Sequence, residues 1–96
     1  MSPEDFESTL GREVPPADLP PLLRALWLEA RGDWEAAHRI AQADEGSDGA
    51  WVHAYLHRAE GDLANAGYWY RRAGRPVENG PLEAERRAIA AELLER

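Results

Sequence analysis

The chain contains neither cysteine nor lysine, and each absence excludes a class of protein or site. Without cysteine it has no disulfide framework, no thiolate nucleophile and no zinc–thiolate site, and a cytoplasmic location is expected. Without lysine, all eleven basic residues are arginines, and eighteen acidic residues bring the net charge to −7. We expect no nucleic-acid partner, because neutralising the phosphates of a duplex requires a basic surface.

Long apolar runs and alternating patterns are also missing. No apolar run approaches the roughly 18 residues of a membrane-spanning helix, so no membrane partner is expected. The acidic first ten residues lack the basic region of a secretory signal peptide, so no such signal is expected either. No segment alternates apolar and polar residues long enough to predict a strand. Ninety-six residues with 44% hydrophobic side chains are instead typical of a single small globular domain.

Helical periodicity and turn residues divide this domain into four segments. They are an N-terminal helix and proline-rich connector (1–21), a first helical hairpin (22–45), a second hairpin (48–75) and a C-terminal helix (81–96). Ser2 is predicted to cap the first helix, and Asp18 to cap the helix after the connector. The predicted fold class is all-α, with two stacked antiparallel hairpins, a short N-terminal helix and a C-terminal capping helix.

The apolar period of each helix predicts which side chains face the core. Leu63 and Leu82 are predicted to face inward at the start of their helices. Four aromatic residues at helical spacing are predicted to belong to the core rather than to a ligand pocket: Trp51, Tyr55, Trp69 and Tyr70. Tyr68, together with Trp27 or Trp34, is expected to stay partly exposed.

Residues 25–37 and 54–66 form an internal repeat with an offset of 29 residues. In each copy the alanines allow close approach of helices, the glycine makes a turn, and the aspartate caps the next helix. The apolar stripe is shared as well, which indicates duplication of a helical hairpin. The identical pairs are Ala25/Ala54, Ala30/Ala59, Gly32/Gly61, Asp33/Asp62 and Ala37/Ala66.

These residues resemble the tetratricopeptide and Sel1-like repeat superfamily, whose units are antiparallel helix pairs with a Gly-Asp or Gly-Asn turn. Residues 61–73 are similar to the second helix of a Sel1-type unit, and the resemblance covers roughly residues 22–74. The 29-residue spacing is shorter than the about 34 residues usual for such repeats, and the Trp-x-x-Leu-Gly-x-x-Tyr opening is missing. The resemblance implies a module that presents a groove to peptides or other proteins.

Residues 47–76 form the one locally basic region and supply the candidate binding site. Guanidinium groups suit carboxylates, so we expect the partner to be an acidic peptide or protein. Alternatively, these arginines stabilise helix C-termini or pair with Glu60, Asp62 or the acids of the final helix. The residues predicted to form the binding surface are His53, His57, Arg58, Tyr68, Arg71 and Arg72.

His53 and His57 stand one helical turn apart, a spacing that can supply two metal ligands, with His38 on the other hairpin as a third. Since no His-Glu-x-x-His motif accompanies them, half-exposed helix histidines are the preferred interpretation, and no metal or cofactor is predicted. No nucleophile elbow or phosphate loop is present, so a non-catalytic interaction module is predicted. Two alternatives stay open: a small-molecule- or metal-dependent enzyme centred on His53 and His57, and a structural homodimer subunit.

Overall fold

The fold is built from α-helices alone. The computed structural model describes all 96 residues and contains six helices and no strand. The helices are α1 (Pro3–Thr9), α2 (Pro21–Ala30), α3 (Trp34–Ala43), α4 (Ser47–Ala59), α5 (Leu63–Ala73) and α6 (Leu82–Leu94). The all-α fold class is therefore confirmed. None of these helices combines the length and the apolar composition needed to cross a bilayer.

Three of the four helices that the sequence predicted to be capped begin with a side-chain cap. The hydroxyl of Ser2 accepts a hydrogen bond from the Asp5 amide. The carboxylates of Asp33 and Asp62 accept from the amides three residues further on, at 3.1 and 3.2 Å. The prediction for Asp18 is wrong, because α2 begins at Pro21 without a side-chain cap. A proline at the first helical position has no N–H to satisfy, and its φ angle already suits the helix.

The two turns of the repeat have the same backbone geometry. Gly32 and Gly61 adopt φ angles of +92° and +90°, in the region that favours glycine. In both turns the residue after the glycine donates from its amide to the carbonyl five residues earlier, at 2.8 and 2.9 Å. The 29-residue repeat is thus a repeat of local structure as well as of sequence.

Helix α4 lies at the centre of the fold and packs against α2, α3, α5 and α6. Helix α6 packs against α1, α2 and α4. The backbone of α5 contacts only that of α4. These pairwise contacts do not establish the antiparallel stacking of the two hairpins, which stays a prediction. The fully buried side chains at the centre include Phe6, Leu26, Val52, Leu56 and Ile89.

Several side chains differ from their predicted exposure. Leu63 is 68% exposed and Leu82 is 38% exposed, because each is the first residue of its helix and precedes the turns that meet a neighbour. Trp27 is buried, since its indole N–H donates to the Thr9 carbonyl at the end of α1. Trp34 is half-buried and Tyr68 is 44% exposed, as expected.

The predicted aromatic core is confirmed at three of its four positions. Trp51, Tyr55 and Tyr70 are buried, whereas Trp69 is only half-buried. Trp69 packs instead on the ring of His53, at a centroid distance of 3.9 Å. The fourth aromatic residue therefore forms the edge of a polar cluster.

Candidate functional site

All three histidines of the chain meet between α3 and α4. The Nε2 atom of His38 on α3 lies 2.9 Å from the Nε2 atom of His53 on α4. One nitrogen from each of the rings of His38, His53 and His57 lies within 4.8 Å of the other two. The prediction that His53 and His57 are half-exposed is wrong: they are 5% and 6% exposed. They are covered because α3 and α5 both pack against α4.

Two tryptophans enclose this histidine cluster. The ring of Trp34 stacks on His38 with an interplanar angle of 10°, and the ring of Trp69 stacks on His53 at 15°. The His38 ring stands edge-on to His53, at 81°. The flanking rings restrict rotation of the imidazoles, so the nitrogens are held in a convergent arrangement.

A carboxylate outside the cluster orients the third histidine. The Nδ1 atom of His57 lies 2.8 Å from the Oε2 atom of Glu60, one turn further along the chain. When Nδ1–H donates to this carboxylate, the lone pair of the neutral ring is on Nε2. The Glu60 contact thereby selects the nitrogen of His57 that is free to accept a proton or bind an ion.

Burial also favours the neutral form of two of these histidines, His38 and His53. Burial lowers the pKa of His53 to about 4, and the neighbouring charges of His38 and His57 add to this effect. Burial, followed by the charge of His57, lowers the pKa of His38 below 6.5, whereas Glu60 acts in the opposite direction. At neutral pH both imidazoles are therefore uncharged and retain a lone pair.

A small cleft opens beside His53, one of the three histidines of this cluster. Its volume is about 110 Å³, and its lining includes His53, Trp69, Arg72 and residues of the α3–α4 connection. An opening of this size admits a water molecule or an ion. The cluster is thus buried, and the cleft borders it at His53.

A second group of predicted site residues lies on the exposed side of α5. Tyr68, Arg71 and Arg72 are all exposed. The Nη1 atom of Arg72 donates to the Tyr68 hydroxyl at 3.1 Å, and its guanidinium lies over the rings of Tyr68 and Trp69. No carboxylate pairs with Arg71 or Arg72. We call Tyr68, Arg71 and Arg72 the α5 surface.

The six residues predicted to bind a partner therefore do not share one exposed surface. His53 and His57 are in the buried cluster, and the Arg58 side chain is only 10% exposed. Arg58 donates to the Oε1 atom of Glu85 at 2.7 Å and to the Gly80 carbonyl. The side chains of these three residues are buried and contact other residues of the same chain. A binding role for any of the six stays a prediction.

Sequence reasoning missed the roles of Glu85 and of the two tryptophans at the cluster. Glu85 accepts from Arg58 and from the hydroxyl of Tyr70, which precede it by 27 and 15 residues. The alternative in which an arginine pairs with an acid of the final helix is confirmed for Arg58, but no local pattern singles out Glu85 or its bond to Tyr70. His38 was considered only as a third metal ligand, and the structure brings it to the other two histidines.

Comparison with protein-family models, curated proteins and solved structures gives no match to this chain. The resemblance to tetratricopeptide and Sel1-like repeats therefore rests on the residues of the repeat and stays a prediction. Any proposal about function has to be argued from the residues and their geometry.

Proposed function

We propose that the chain is a non-catalytic protein-interaction module that binds an acidic segment of a partner protein through the α5 surface. The observation that supports this proposal most strongly is a pair of adjacent exposed arginines without an acidic partner, in a chain with a net charge of −7.

Arg71 and Arg72 belong to the six arginines that form no ion pair within the chain, and they are the only two of these that are adjacent in sequence. Five of the eleven arginines form ion pairs with acids: Arg58, Arg75, Arg86, Arg87 and Arg96. Arg71 and Arg72 have none although acids outnumber arginines. Their guanidinium groups remain available to carboxylates of another molecule, with which arginine forms bidentate hydrogen bonds.

Arg72 is already held in an extended arrangement along the helix. Its hydrogen bond to the Tyr68 hydroxyl and its stacking over the Tyr68 and Trp69 rings restrict the side chain before any partner binds. Binding then costs less side-chain entropy. Tyrosine and arginine are also both enriched among the residues that contribute most of the binding energy of protein–protein interfaces.

The position of α5 leaves this surface open. The backbone of α5 runs alongside α4 alone, so its opposite side faces solvent. The resemblance to helical-hairpin repeats, which mostly present their surfaces to peptides, supports the same function. The proposed partner is therefore an acidic segment laid along α5.

Fluorescence anisotropy with labelled acidic peptides tests the proposal. The probes are a decaglutamate peptide and an otherwise identical peptide with tyrosine at its centre. Replacing Arg71 and Arg72 together by alanine should weaken binding about tenfold, because two exposed ion pairs of up to about 1 kcal/mol each add to roughly the 1.4 kcal/mol of a tenfold change. Affinity should also fall as salt is raised.

The matched control removes the same charge elsewhere. Arg12 and Arg39 are exposed and form no ion pair, so Arg12→Ala with Arg39→Ala should leave affinity within about twofold of the parent chain. Equal losses of affinity in the two double variants would show that the peptides are attracted by net charge alone, and would overturn the proposal. Failure of the parent chain to bind either peptide would overturn it as well.

A further inference from the structure

We propose that His38, His53 and His57 form a binding site for a divalent transition-metal ion of the zinc type. The proposal rests on the convergence of one nitrogen from each of the three rings within 4.8 Å of the others. It is independent of the α5 surface, since none of the three histidines belongs to that surface.

The distance between two of the three histidines is close to that in a metal site with nitrogen ligands, and His57 would have to lie equally near in the bound form. Zinc–nitrogen bonds are about 2.0–2.1 Å long, and two ligands in tetrahedral geometry are then about 3.3 Å apart. The Nε2 atoms of His38 and His53 are 2.9 Å apart. A widening of a few tenths of an ångström would replace their mutual hydrogen bond by two bonds to the ion.

The donor set determines which ions fit. Three imidazoles without a thiolate suit zinc, copper, nickel or cobalt better than calcium or magnesium, which prefer oxygen ligands. Three histidines fill three positions of a tetrahedral zinc site and leave the fourth for water or another ligand. The cleft beside His53 and Trp69 is an opening that borders the proposed site at His53.

The surroundings of His57 match those of metal-bound histidines. Such a ring commonly donates its other N–H to a carboxylate, which fixes its orientation and strengthens the ligand. Glu60 occupies that position, 2.8 Å from Nδ1 of His57. The stacked rings of Trp34 and Trp69 hold the other two imidazoles from outside the cluster.

Two other arrangements make different predictions. In the first, the histidines form a metal-free polar cluster held by the His38–His53 hydrogen bond. In the second, an ion binds to His57 together with Glu60 and Asp62, whose ligand atoms also lie within 4.8 Å of one another. Variants of His38 and Asp62 distinguish both from the proposed site.

The experiment uses untagged protein treated with a chelator and then titrated with zinc or cobalt chloride. Isothermal titration calorimetry should give one ion per chain, and cobalt should produce the intense visible absorption of a tetrahedral site. His38→Gln should weaken zinc binding about 100-fold, and Glu60→Gln about tenfold. Asp62→Asn should bind zinc as the parent chain does, because asparagine also caps a helix.

Each other outcome is decisive. Absence of both zinc and cobalt binding to the folded parent chain would overturn the proposal and leave the metal-free cluster. Loss of binding in Asp62→Asn but not in His38→Gln would place the ion on the second set and also overturn it. If His38→Gln does not fold, the parent chain's cobalt spectrum decides between a tetrahedral site and none.

Discussion

Arg58 of α4 and Glu85 of α6 form a buried ion pair, with 2.7 Å between Nη1 and Oε1 and side chains that are 10% and 3% exposed. The other oxygen of Glu85 accepts from the hydroxyl of Tyr70 on α5. Burial raises the pKa of Glu85, although its bonds to Tyr70 and Arg58 act in the opposite direction. One carboxylate therefore connects three helices, two of which have no backbone contact with each other.

Removal of this carboxylate should destabilise the fold strongly. Glu85→Ala leaves the Arg58 guanidinium buried without its anion, and breaking such a pair costs about 3–5 kcal/mol. Urea denaturation at pH 7 measures the change in free energy of unfolding. The matched control is Glu83→Ala on the same helix, whose side chain is 63% exposed and which should cost less than about 1 kcal/mol. Similar losses in both variants would contradict a special role for Glu85.

Alanine substitutions at two glycines should have opposite effects. Gly61 has a φ angle of +90° and no atom within 4 Å of an added Cβ, so Gly61→Ala should cost about 1–2 kcal/mol through backbone strain alone. Gly67 is inside α5, where an added Cβ makes only an ordinary contact at 3.7 Å. Gly67→Ala should therefore stabilise by about 0.5–1 kcal/mol. Thermal denaturation checks both signs, and a stabilising Gly61→Ala would contradict the turn geometry.

The indole of Trp27 should be needed for the attachment of α1. Trp27→Phe removes the hydrogen bond to the Thr9 carbonyl, which keeps its second bond from the Arg12 amide, so the cost should be about 0.5–1.5 kcal/mol. Hydrogen exchange of the α1 amides should also become faster, because this contact joins α1 to α2. Tyr68→Phe on the exposed surface serves as the control and should change stability by less than about 0.5 kcal/mol.

Glu7 should make the fold sensitive to acid. Burial tends to raise its pKa, but hydrogen bonds from Arg87 and Arg86 and their charges outweigh this and lower the pKa below 4.5. A carboxyl whose pKa is lower in the folded state stabilises the fold above about pH 4.5, and this contribution disappears as the pH falls further. Glu7→Gln should therefore cost about 0.5–1 kcal/mol at pH 7, a small value for a partly exposed group.

The difference in free energy of unfolding between Glu7→Gln and the parent chain should be smaller at pH 3.5 than at pH 7. Urea denaturation at the two pH values measures this difference. Glu13→Gln, at an exposed position without an ion pair, provides the control and should show no such dependence. A constant difference for Glu7→Gln across the two pH values would contradict the assigned ion pairs.

Local signals predicted the helices well. Asp33 and Asp62 cap α3 and α5, and Gly32 and Gly61 make the turns before them, because caps and turns depend on residues only a few positions apart. Predictions of exposure failed where a distant segment covers a side chain. Trp27 is buried by the end of α1, and His53 by Trp69 of α5.

The sequence alone was sufficient for the number and approximate limits of the helices and for the repeat of the glycine–aspartate turn. These features follow from periodicity and from the hydrogen bonds of neighbouring residues. Only the tertiary structure decided that His38 meets His53 and that Glu85 meets Arg58. The partners in these two pairs are 15 and 27 residues apart in the sequence. They meet because whole helices pack together, and no pattern within a single helix encodes that packing.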